Sequence, residues 1–457
     1  MINLIFTDKQ CNRLNAHLFP GDGLEALAFC LATQVKYPGG SRFLINEVWE
    51  IPHEQCDRSE DNLTWSTADI AEVLDKAADK GMSVIKIHSH PRGPRAFSEQ
   101  DDRSDFGFFP SIYNWCEGNA QHCSVIFTED FIVGRMIDKN NQEKMIDNVW
   151  VAGHPLRLYP YRPGSTIVGF DESTYDVFHG IKIGIVGCSG TGGWVVELSG
   201  RNEVGSLVAC DPDILGKKNL NRVINSKMNL CGKNKAALAA DVIREMGTGT
   251  FVEVSESSLH SVESIELLKS CDVIFGCVDS VFARHVLNTL CSYYMIPLFD
   301  IGVYIESTGK SISAAVSGFE YIVPGGSSLR TRGIFSPDDL AAETYHLKSP
   351  NHFKRLKDDG YIRGQVVGRP AVAATNCKAA SMCFEEFQAR VLGYRSDVDE
   401  PLASKVFCAK SGEYFVKQET DFEVDTILLK KVGWGDQFFK NEAHLLFAES
   451  YVPEAAV

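Results

Sequence analysis

The segment KIGIVGCSGTGG, residues 182–193, indicates the fold of the larger part of this chain. Five mostly apolar residues of strand character run into a glycine-rich turn, and a helical pattern follows the turn. Gly187, Gly190 and Gly192 allow the chain to turn tightly and let backbone N–H groups approach a phosphate at the N-terminus of the helix. By itself, such a turn predicts only that a nucleotide or dinucleotide binds here.

Alternating strand and helix patterns continue beyond this turn. A helix to about Ser199 is followed by a strand at 206–210, and further units run through Phe299. Strands that alternate with helices predict a doubly wound, mainly parallel sheet, which places the chain in the α/β class.

Carboxylates follow the turn at positions that suit a nucleotide. Asp211 and Asp213 end the second strand, about twenty residues after the glycines, where a carboxylate can accept hydrogen bonds from ribose hydroxyls. Asp279 ends a later apolar strand, where a carboxylate can hold Mg²⁺ against phosphates.

The side chains between these carboxylates suit a triphosphate. Asn219 and Arg222 lie in an Asn-Leu-Asn-Arg run, and Lys235 follows in Gly-Lys-Asn-Lys. Arginine and lysine can clamp a triphosphate whose charge shifts when a carboxylate attacks it. A redox Rossmann enzyme needs no such clamp, so this alternative is disfavoured.

These motifs, in this order and spacing, resemble the adenylating fold shared by ThiF, MoeB and the ubiquitin-activating enzymes, over roughly residues 165–395. The resemblance implies ATP and Mg²⁺ as cofactors. It also implies a homodimer formed through this domain. The implied roles are ribose binding by Asp211, phosphate binding by Asn219, Arg222 and Lys235, and magnesium binding by Asp279.

The chain departs from that family pattern at several positions. Ser189 replaces the usual second glycine, and Lys218 replaces the usual serine. Residues 170–176 lack the arginine with which many relatives complete a dimer partner's site.

A second motif lies in the N-terminal part, at residues 88–101. His88 and His90 are two residues apart on an extended segment, so their imidazoles point to one side. Asp101, eleven residues later, can return on the next helix as a third ligand. Three protein ligands leave the fourth position of a zinc ion for water, as a catalytic site requires. Zinc lowers the pKa of that water towards neutrality.

The series His88, His90, Pro91, Ser98 and Asp101 resembles the JAMM metallopeptidases over about 140 residues. The resemblance implies a cytidine-deaminase-like fold. It also implies that Glu25 is the general base and that Ser98 stabilises the tetrahedral intermediate. The competing carboxylates are Glu47 and Glu50 for the base, and Asp102 and Asp105 for the third ligand.

The expected organisation is a JAMM domain at 1–140, a linker at 141–165, an adenylating domain at 166–400 and a small extension at 401–457. The linker is expected because its sequence is polar and turn-rich. A hairpin is expected around Ser411 and Gly412.

Charge and cysteine usage narrow the class of protein. The formal net charge of −15 argues against nucleic-acid and anionic-membrane partners, which require basic surface. We expect no secretory signal and no membrane span. The 14 cysteines form no C-x-x-C pair, which favours reduced thiols and a cytoplasmic location.

The loop that carries cysteines in ubiquitin-activating relatives contains Ser328 and Thr331 instead. A hydroxyl is a far poorer nucleophile than a thiolate unless a base activates it. Three interpretations follow: the adenylate passes directly to a partner's nucleophile, another cysteine serves, or a cysteine at 328 has been replaced. We favour the first. The other candidate thiols are Cys377, Cys383 and Cys408, of which the first two are expected to lie in the core.

Together, the two resemblances predict an enzyme that processes or removes a ubiquitin-like protein and activates its C-terminal glycine. Similar fusions occur in bacterial ubiquitin-like conjugation pathways, some of them antiphage, which implies a conjugating enzyme as a further partner. One alternative is a sulfur-carrier activator in cofactor or cysteine biosynthesis, with a sulfur donor as partner. Another is a catalytically impaired scaffold or sensor.

Overall fold

The computed structural model describes residues 1–60, 62–161, 177–308, 311–348, 372–395 and 401–446. The chain divides into two compact units. The first comprises residues 1–166 with 432–437, and the second comprises 167–431 with 438–457.

The first unit is a mixed sheet with helices. Its strands are β1 (Ile2–Thr7), β2 (Leu27–Tyr37), β3 (Gly40–Glu50), β4 (Cys56–Arg58), β5 (Leu63–Trp65), β6 (Ser83–Ser89), β7 (His122–Phe127), β8 (Ile132–Ile137), β9 (Glu143–Met145), β10 (Asn148–Ala152) and β11 (Arg157–Pro160). Its helices are α1 (Asp8–Leu18), α2 (Ala71–Lys80) and α3 (Glu99–Trp115). The strand order of the main sheet is β11-β10-β1-β3-β2-β6-β7-β8-β9, while β4 and β5 pair with each other.

Strand β6 runs through the middle of this sheet, antiparallel to β2 and parallel to β7. All its residues are buried. Ile85 and Ile87 pack into one core cluster and Val84 into the other, as alternation along a strand covered on both faces requires. This burial fixes the position of the histidines at the end of β6.

The linker expected at 141–165 is wrong for its described part. Strands β9, β10 and β11 lie there, and β10 pairs in parallel with β1. The polar run at 139–144 suggested a connector, but the buried sequence NVWVA of β10 completes the sheet between β1 and β11. Helix α2 ends at Gly81, which adopts the left-handed conformation at φ +62°.

The second unit contains a doubly wound sheet. Its strands are β12 (Lys182–Val186), β13 (Ser206–Cys210), β14 (Phe251–Ser255), β15 (Val273–Gly276), β16 (Leu298–Thr308), β17 (Ser311–Ile322), β18 (Leu402–Cys408) and β19 (Glu413–Gln418). The helices are α4 (Gly190–Arg201), α5 (Lys235–Met246), α6 (Val262–Leu268), α7 (Val281–Tyr293), α8 (Pro337–Lys348), α9 (Ala373–Val391), α10 (Thr426–Leu429) and α11 (Gln437–Asn441).

The strand order is β14-β13-β12-β15-β16-β17-β18-β19. Strands β14 to β16 in this order are parallel, so the predicted mainly parallel sheet is confirmed. The order reverses between β12 and β15, and ligands of such sheets bind beyond the carboxyl ends of the strands at this point.

The expected C-terminal extension is in part an integral piece of this sheet. The hairpin predicted around Gly412 is β18–β19, and β18 pairs antiparallel with β17. Among the described residues, no helix combines the length and the hydropathy needed to cross a bilayer.

Candidate active sites

Three predicted zinc ligands converge in the first unit. His88 lies at the end of β6, His90 lies just beyond it, and Asp101 lies in the first turn of α3. The two Nε2 atoms are 3.1 Å apart. Asp101 Oδ1 lies 2.9 Å from the Nε2 of His88, and Asp101 Oδ2 lies 3.6 Å from that of His90. All three residues are buried, and their potential ligand atoms form a constellation, within 4.8 Å of one another, that could hold a metal ion.

This geometry fits zinc. Bonds of about 2.0–2.1 Å in a tetrahedral site separate the ligand atoms by about 3.3 Å, close to the separations found here. The Nδ1 of His90 lies 3.0 Å from the carbonyl oxygen of Pro94. Such a hydrogen bond places the proton on Nδ1 and leaves the Nε2 lone pair for a metal, as is usual for metal-binding histidines.

The electrostatics also suit a cation. Burial lowers the pKa of His88, which favours the neutral imidazole that binds metals. Burial alone would raise the pKa of Asp101, but hydrogen bonds with His88 and His90 outweigh it and hold that pKa well below its ordinary value. The carboxylate is therefore ionised at neutral pH.

Glu25 lies beside this constellation. Its carboxylate Oε1 is 3.7 Å from the Nε2 of His90, and the residue is buried. Its backbone is fixed on both sides, because Arg58 donates to its carbonyl oxygen and the next residue, Ala26, donates to the hydroxyl of Ser89. The predicted base is thus held at the end of β6.

The competing carboxylates are engaged elsewhere. Glu47 pairs with two lysines of α2, and Glu50 pairs with Arg13. Asp102 pairs with Arg135, while the fully buried Asp105 pairs with both Lys86 and Arg135. This arrangement favours Glu25 and Asp101 over their rivals.

Ser98 reaches the constellation through Asp101. It is the N-cap of α3, and its hydroxyl donates to Asp101 Oδ2 at 2.7 Å. The backbone N–H of Asp101 in turn donates to the Ser98 hydroxyl. The serine therefore both starts the helix and orients the carboxylate that the helix carries.

A second site is a cavity of about 600 Å³ in the second unit, at the carboxyl ends of the parallel strands. Most residues predicted to bind the nucleotide line it: Gly187, Gly190, Asp211, Asp213, Asn219, Arg222, Lys235 and Asp279. Gly192 does not line this cavity. A Cβ there would lie 1.8 Å from the carbonyl oxygen of Gly187, so Gly192 lets α4 pack against the turn.

Asp211 is held by the glycine-rich turn. Its carboxylate accepts hydrogen bonds from the backbone N–H groups of Cys188 and Asp213, at 2.8 and 2.9 Å. Burial raises its pKa to about 6, against the opposing charge of Lys235. Additional hydrogen-bond donors, such as ribose hydroxyls, would stabilise its ionised form.

The cationic residues lie along the same cavity. The ammonium of Lys235, at the start of α5, is 2.7 Å from the carboxylate of Asp213. Arg222 donates to the carbonyl oxygen of Lys218. Asn219 is buried, and its side-chain oxygen accepts from the N–H of Gly216, which shapes the loop.

The predicted magnesium ligand lies next to a helix N-terminus. Asp279 is exposed and precedes Ser280, which caps α7 by accepting from the N–H of Ala283. A residue that sequence reasoning missed, Glu343, completes this cap. Its carboxylate accepts from the N–H groups of Val281 and Phe282 at 2.7 and 3.1 Å.

Neither hydroxyl at the cysteine positions lines the cavity. Ser328 is buried, and its hydroxyl donates to Asp425 at 2.6 Å. Thr331 accepts from the backbone N–H of Ser328, and Arg330 pairs with Asp425. These contacts assign both hydroxyls to a structural network.

The alternative thiols do not line the cavity either. Cys383 is buried and Cys377 is half-buried, and burial raises the pKa of Cys383 well above its ordinary value. Hydrogen bonds with Ser411 lower the pKa of Cys408, at the end of β18. The segment 170–176, which lacks the partner arginine, lies outside the described residues.

Two family descriptions match the chain. The description "ThiF family" matches residues 165–393, and "Prokaryotic homologs of the JAB domain" matches residues 17–129. The two sites described above therefore fall in two different matched regions of one polypeptide.

Curated relatives match parts of this chain. "Adenylyltransferase and sulfurtransferase MOCS3" of Caenorhabditis briggsae is 32% identical over 114 residues, 25% of this chain and 28% of that protein. "SAMP-activating enzyme E1" of Haloferax volcanii is 28% identical over 123 residues, 27% and 46% of the two chains. "Ubiquitin-like modifier-activating enzyme 5" of Rattus norvegicus is 25% identical over 198 residues, 41% and 46%. The matches thus span less than half of these relatives' lengths.

Among solved structures, E. coli MccB is similar with a TM-score of 0.44 and 13% sequence identity, covering 87% of this chain and 95% of that chain. A likeness this weak says nothing about substrate.

Proposed function

The chain belongs to the ThiF family, and from this premise we propose that its second unit uses ATP to adenylate the C-terminal carboxylate of a ubiquitin-like protein. The observation that carries the proposal is the convergence of Asp211, Arg222, Lys235 and Asp279 on one cavity at the switch point of the sheet.

In the proposed reaction, an oxygen of the modifier's carboxylate attacks the α-phosphorus of ATP. A bond forms between these atoms, the bond to the bridging oxygen breaks, and pyrophosphate leaves with its electron pair. Asp211 accepts hydrogen bonds from the ribose. Lys235 and Arg222 stabilise the negative charge that moves onto the leaving group. Magnesium, bound at Asp279, would neutralise part of the phosphate charge.

We propose that the first unit hydrolyses a peptide or isopeptide bond at the modifier's C-terminus. His88, His90 and Asp101 would hold zinc, which would act as a Lewis acid and make a bound water more acidic. Glu25 would accept the proton of the attacking water and pass it to the leaving amine. Ser98 would stabilise the developing oxyanion by turning its hydroxyl from Asp101 to the oxyanion.

The two activities form a sequence. Hydrolysis after a terminal glycine frees the carboxylate that adenylation consumes, and cleavage of conjugates returns the modifier. One relative is named an activating enzyme E1 and another a ubiquitin-like modifier-activating enzyme, which supports this substrate class. We propose that the pathway is a bacterial conjugation system, with antiphage defence as one setting, and that the chain acts in the cytoplasm as a homodimer.

A sulfur-carrier protein is the second candidate substrate. One relative is named an adenylyltransferase and sulfurtransferase, which favours it. Ser328 is buried and Thr331 is half-buried, and their hydroxyls make hydrogen bonds away from the cavity. We therefore propose that the adenylate passes to an external nucleophile, which is a conjugating enzyme in one case and a sulfur donor in the other.

The test is to incubate the full chain, loaded with zinc, with ATP, Mg²⁺ and each ubiquitin-like protein encoded near its gene. ATP–pyrophosphate exchange reports adenylation, and the intact mass of the modifier reports processing. We expect both with at least one modifier. ATP binding without exchange by any modifier would instead support the impaired scaffold.

A further inference from the structure

The side chain of Asn376 contributes a polar amide group to the wall of the nucleotide cavity. It lies in the first turn of α9, is 3% exposed, and lines the cavity. Its side-chain Nδ2 is buried and has no hydrogen-bond partner among the described residues. An unsatisfied buried donor is costly, so its presence in a native fold requires an explanation.

The amide lies against the N-terminus of α4. Its Nδ2 is only 2.3 Å from the position that a Cβ on Gly190 would take, so glycine at 190 makes room for this amide. Ser189, the N-cap of α4, makes no side-chain hydrogen bond to the helix. The N-terminus of α4 therefore lacks a side-chain cap, and the first N–H groups of a helix attract anions.

The N-terminus of α7, which also lies at the cavity, already carries caps. Ser280 caps α7, and the Glu343 carboxylate accepts from its first two N–H groups. A negative charge is thus already present at α7. An anionic ligand is repelled there and is favoured at α4, where Asn376 adds a second type of donor.

The position of Asp211 identifies which anion reaches α4. The carboxylate of Asp211 accepts a hydrogen bond from the backbone N–H of Cys188, which lies in the turn that leads into α4. If Asp211 binds the ribose, the phosphoryl group attached directly to that ribose comes next to the turn. The β- and γ-phosphates extend onward to Lys235 and Arg222.

We propose that Asn376 donates a hydrogen bond from Nδ2 to a nonbridging oxygen of the nucleotide's α-phosphate, the group that the modifier's carboxylate attacks. This inference rests on the proposed function of the second unit. It adds a substrate-positioning residue that lies 97 residues beyond Asp279, the last nucleotide-site residue predicted from the sequence.

The test compares adenosine, AMP and a nonhydrolysable ATP analogue by calorimetry with the full chain. Asn376→Ala should raise the dissociation constants of AMP and of the ATP analogue about tenfold or more, as expected for a lost hydrogen bond to a charged group. Asn376→Asp should weaken both further, because it places a carboxylate against the phosphate. Adenosine affinity should be unchanged in Asn376→Ala.

The control is Gln388→Ala, on the same helix. Gln388 donates to Asn202 and does not line the cavity, so its loss should leave all three affinities unchanged. The inference is overturned if Asn376→Ala binds AMP as the wild type does, or if adenosine and AMP weaken equally. If the wild type binds none of the ligands, the proposed adenylation fails together with this inference.

Discussion

Asp101 of the first unit and Asp211 of the second are both buried carboxylates, yet their surroundings move their pKa values in opposite directions. Hydrogen bonds with two histidines hold the pKa of Asp101 well below its ordinary value, although burial opposes this. Burial raises the pKa of Asp211 to about 6, since two backbone N–H groups and Lys235 compensate only in part.

The opposite pKa shifts indicate that the two carboxylates suit different ligands. At Asp101 the charge is fully developed and shared with imidazoles, as suits a group that ligates a cation. At Asp211 the charge is incompletely stabilised, and a ligand that brings hydrogen-bond donors supplies the missing stabilisation. The predictions below test this contrast, in decreasing order of effect.

The largest expected effect concerns a third buried aspartate, Asp105, one turn after Asp101. Asp105→Asn would leave Lys86 and Arg135 buried without their shared anion, which should destabilise the first unit by about 3–5 kcal/mol. Chemical denaturation measures this. Asp102→Asn is the matched control, because Asp102 is 43% exposed and its loss should cost much less. An equal loss of stability in both variants would show that the buried contacts of Asp105 with Lys86 and Arg135 do not stabilise α3.

Zinc affinity should fall by at least about a hundredfold in Asp101→Ala, because the total binding energy of a zinc site is divided among about four ligands. Chelator competition measures the affinity. Asp102→Ala, which changes the next residue, should retain zinc. Full zinc binding by Asp101→Ala would remove Asp101 from the ligand set and transfer the role to another carboxylate.

Pyrophosphate exchange should fall about a hundredfold in Lys235→Ala, a typical loss when one donor to a developing anion is removed. Lys233→Ala is the control, because Lys233 pairs with Asp241 and does not line the cavity. Zinc content should be unchanged in both variants. A similar decrease in both variants would mean that the loss of any positive charge slows exchange, and that the contact between Lys235 and the triphosphate is not the cause.

The smallest effect concerns the pH dependence of adenosine binding. Folding raises the pKa of Asp211 from 3.8 to about 6. Burial of the carboxylate therefore lowers stability as the pH rises from 3.8 to about 6, and this loss stays constant above that pH. Ribose hydroxyls favour the carboxylate, so adenosine affinity should fall about tenfold from pH 7 to pH 5. Calorimetry measures it, with 2′,3′-dideoxyadenosine as the control. An equal pH dependence for both nucleosides would mean that Asp211 does not bind the ribose hydroxyls.

Much of the zinc site was predictable because it is local. His88 and His90 follow from strand alternation, and Ser98 with Asp101 follows from the start of α3, all within fourteen residues. The glycine-rich turn and Asp211 were predictable for the same reason, because the turn follows one strand and Asp211 follows the next strand.

The features that sequence reasoning missed depend on contacts between distant segments. Strand β10 was taken for a linker because its neighbour β1 lies about 145 residues earlier. Glu343 caps a helix 62 residues before it, and Asn376 meets Gly190 across 186 residues. No local pattern distinguishes these residues from ordinary helix positions.

Transfer of label from ATP carrying radioactive phosphorus in its α-phosphate tests most directly whether the cavity activates a protein's C-terminus. A modifier supplied with its terminal glycine already exposed should acquire the label in the wild type and in Asp101→Ala, but not in Lys235→Ala. Amidation of its C-terminus should abolish labelling. Label confined to free AMP, or labelling that survives amidation, would contradict adenylation of the terminal carboxylate.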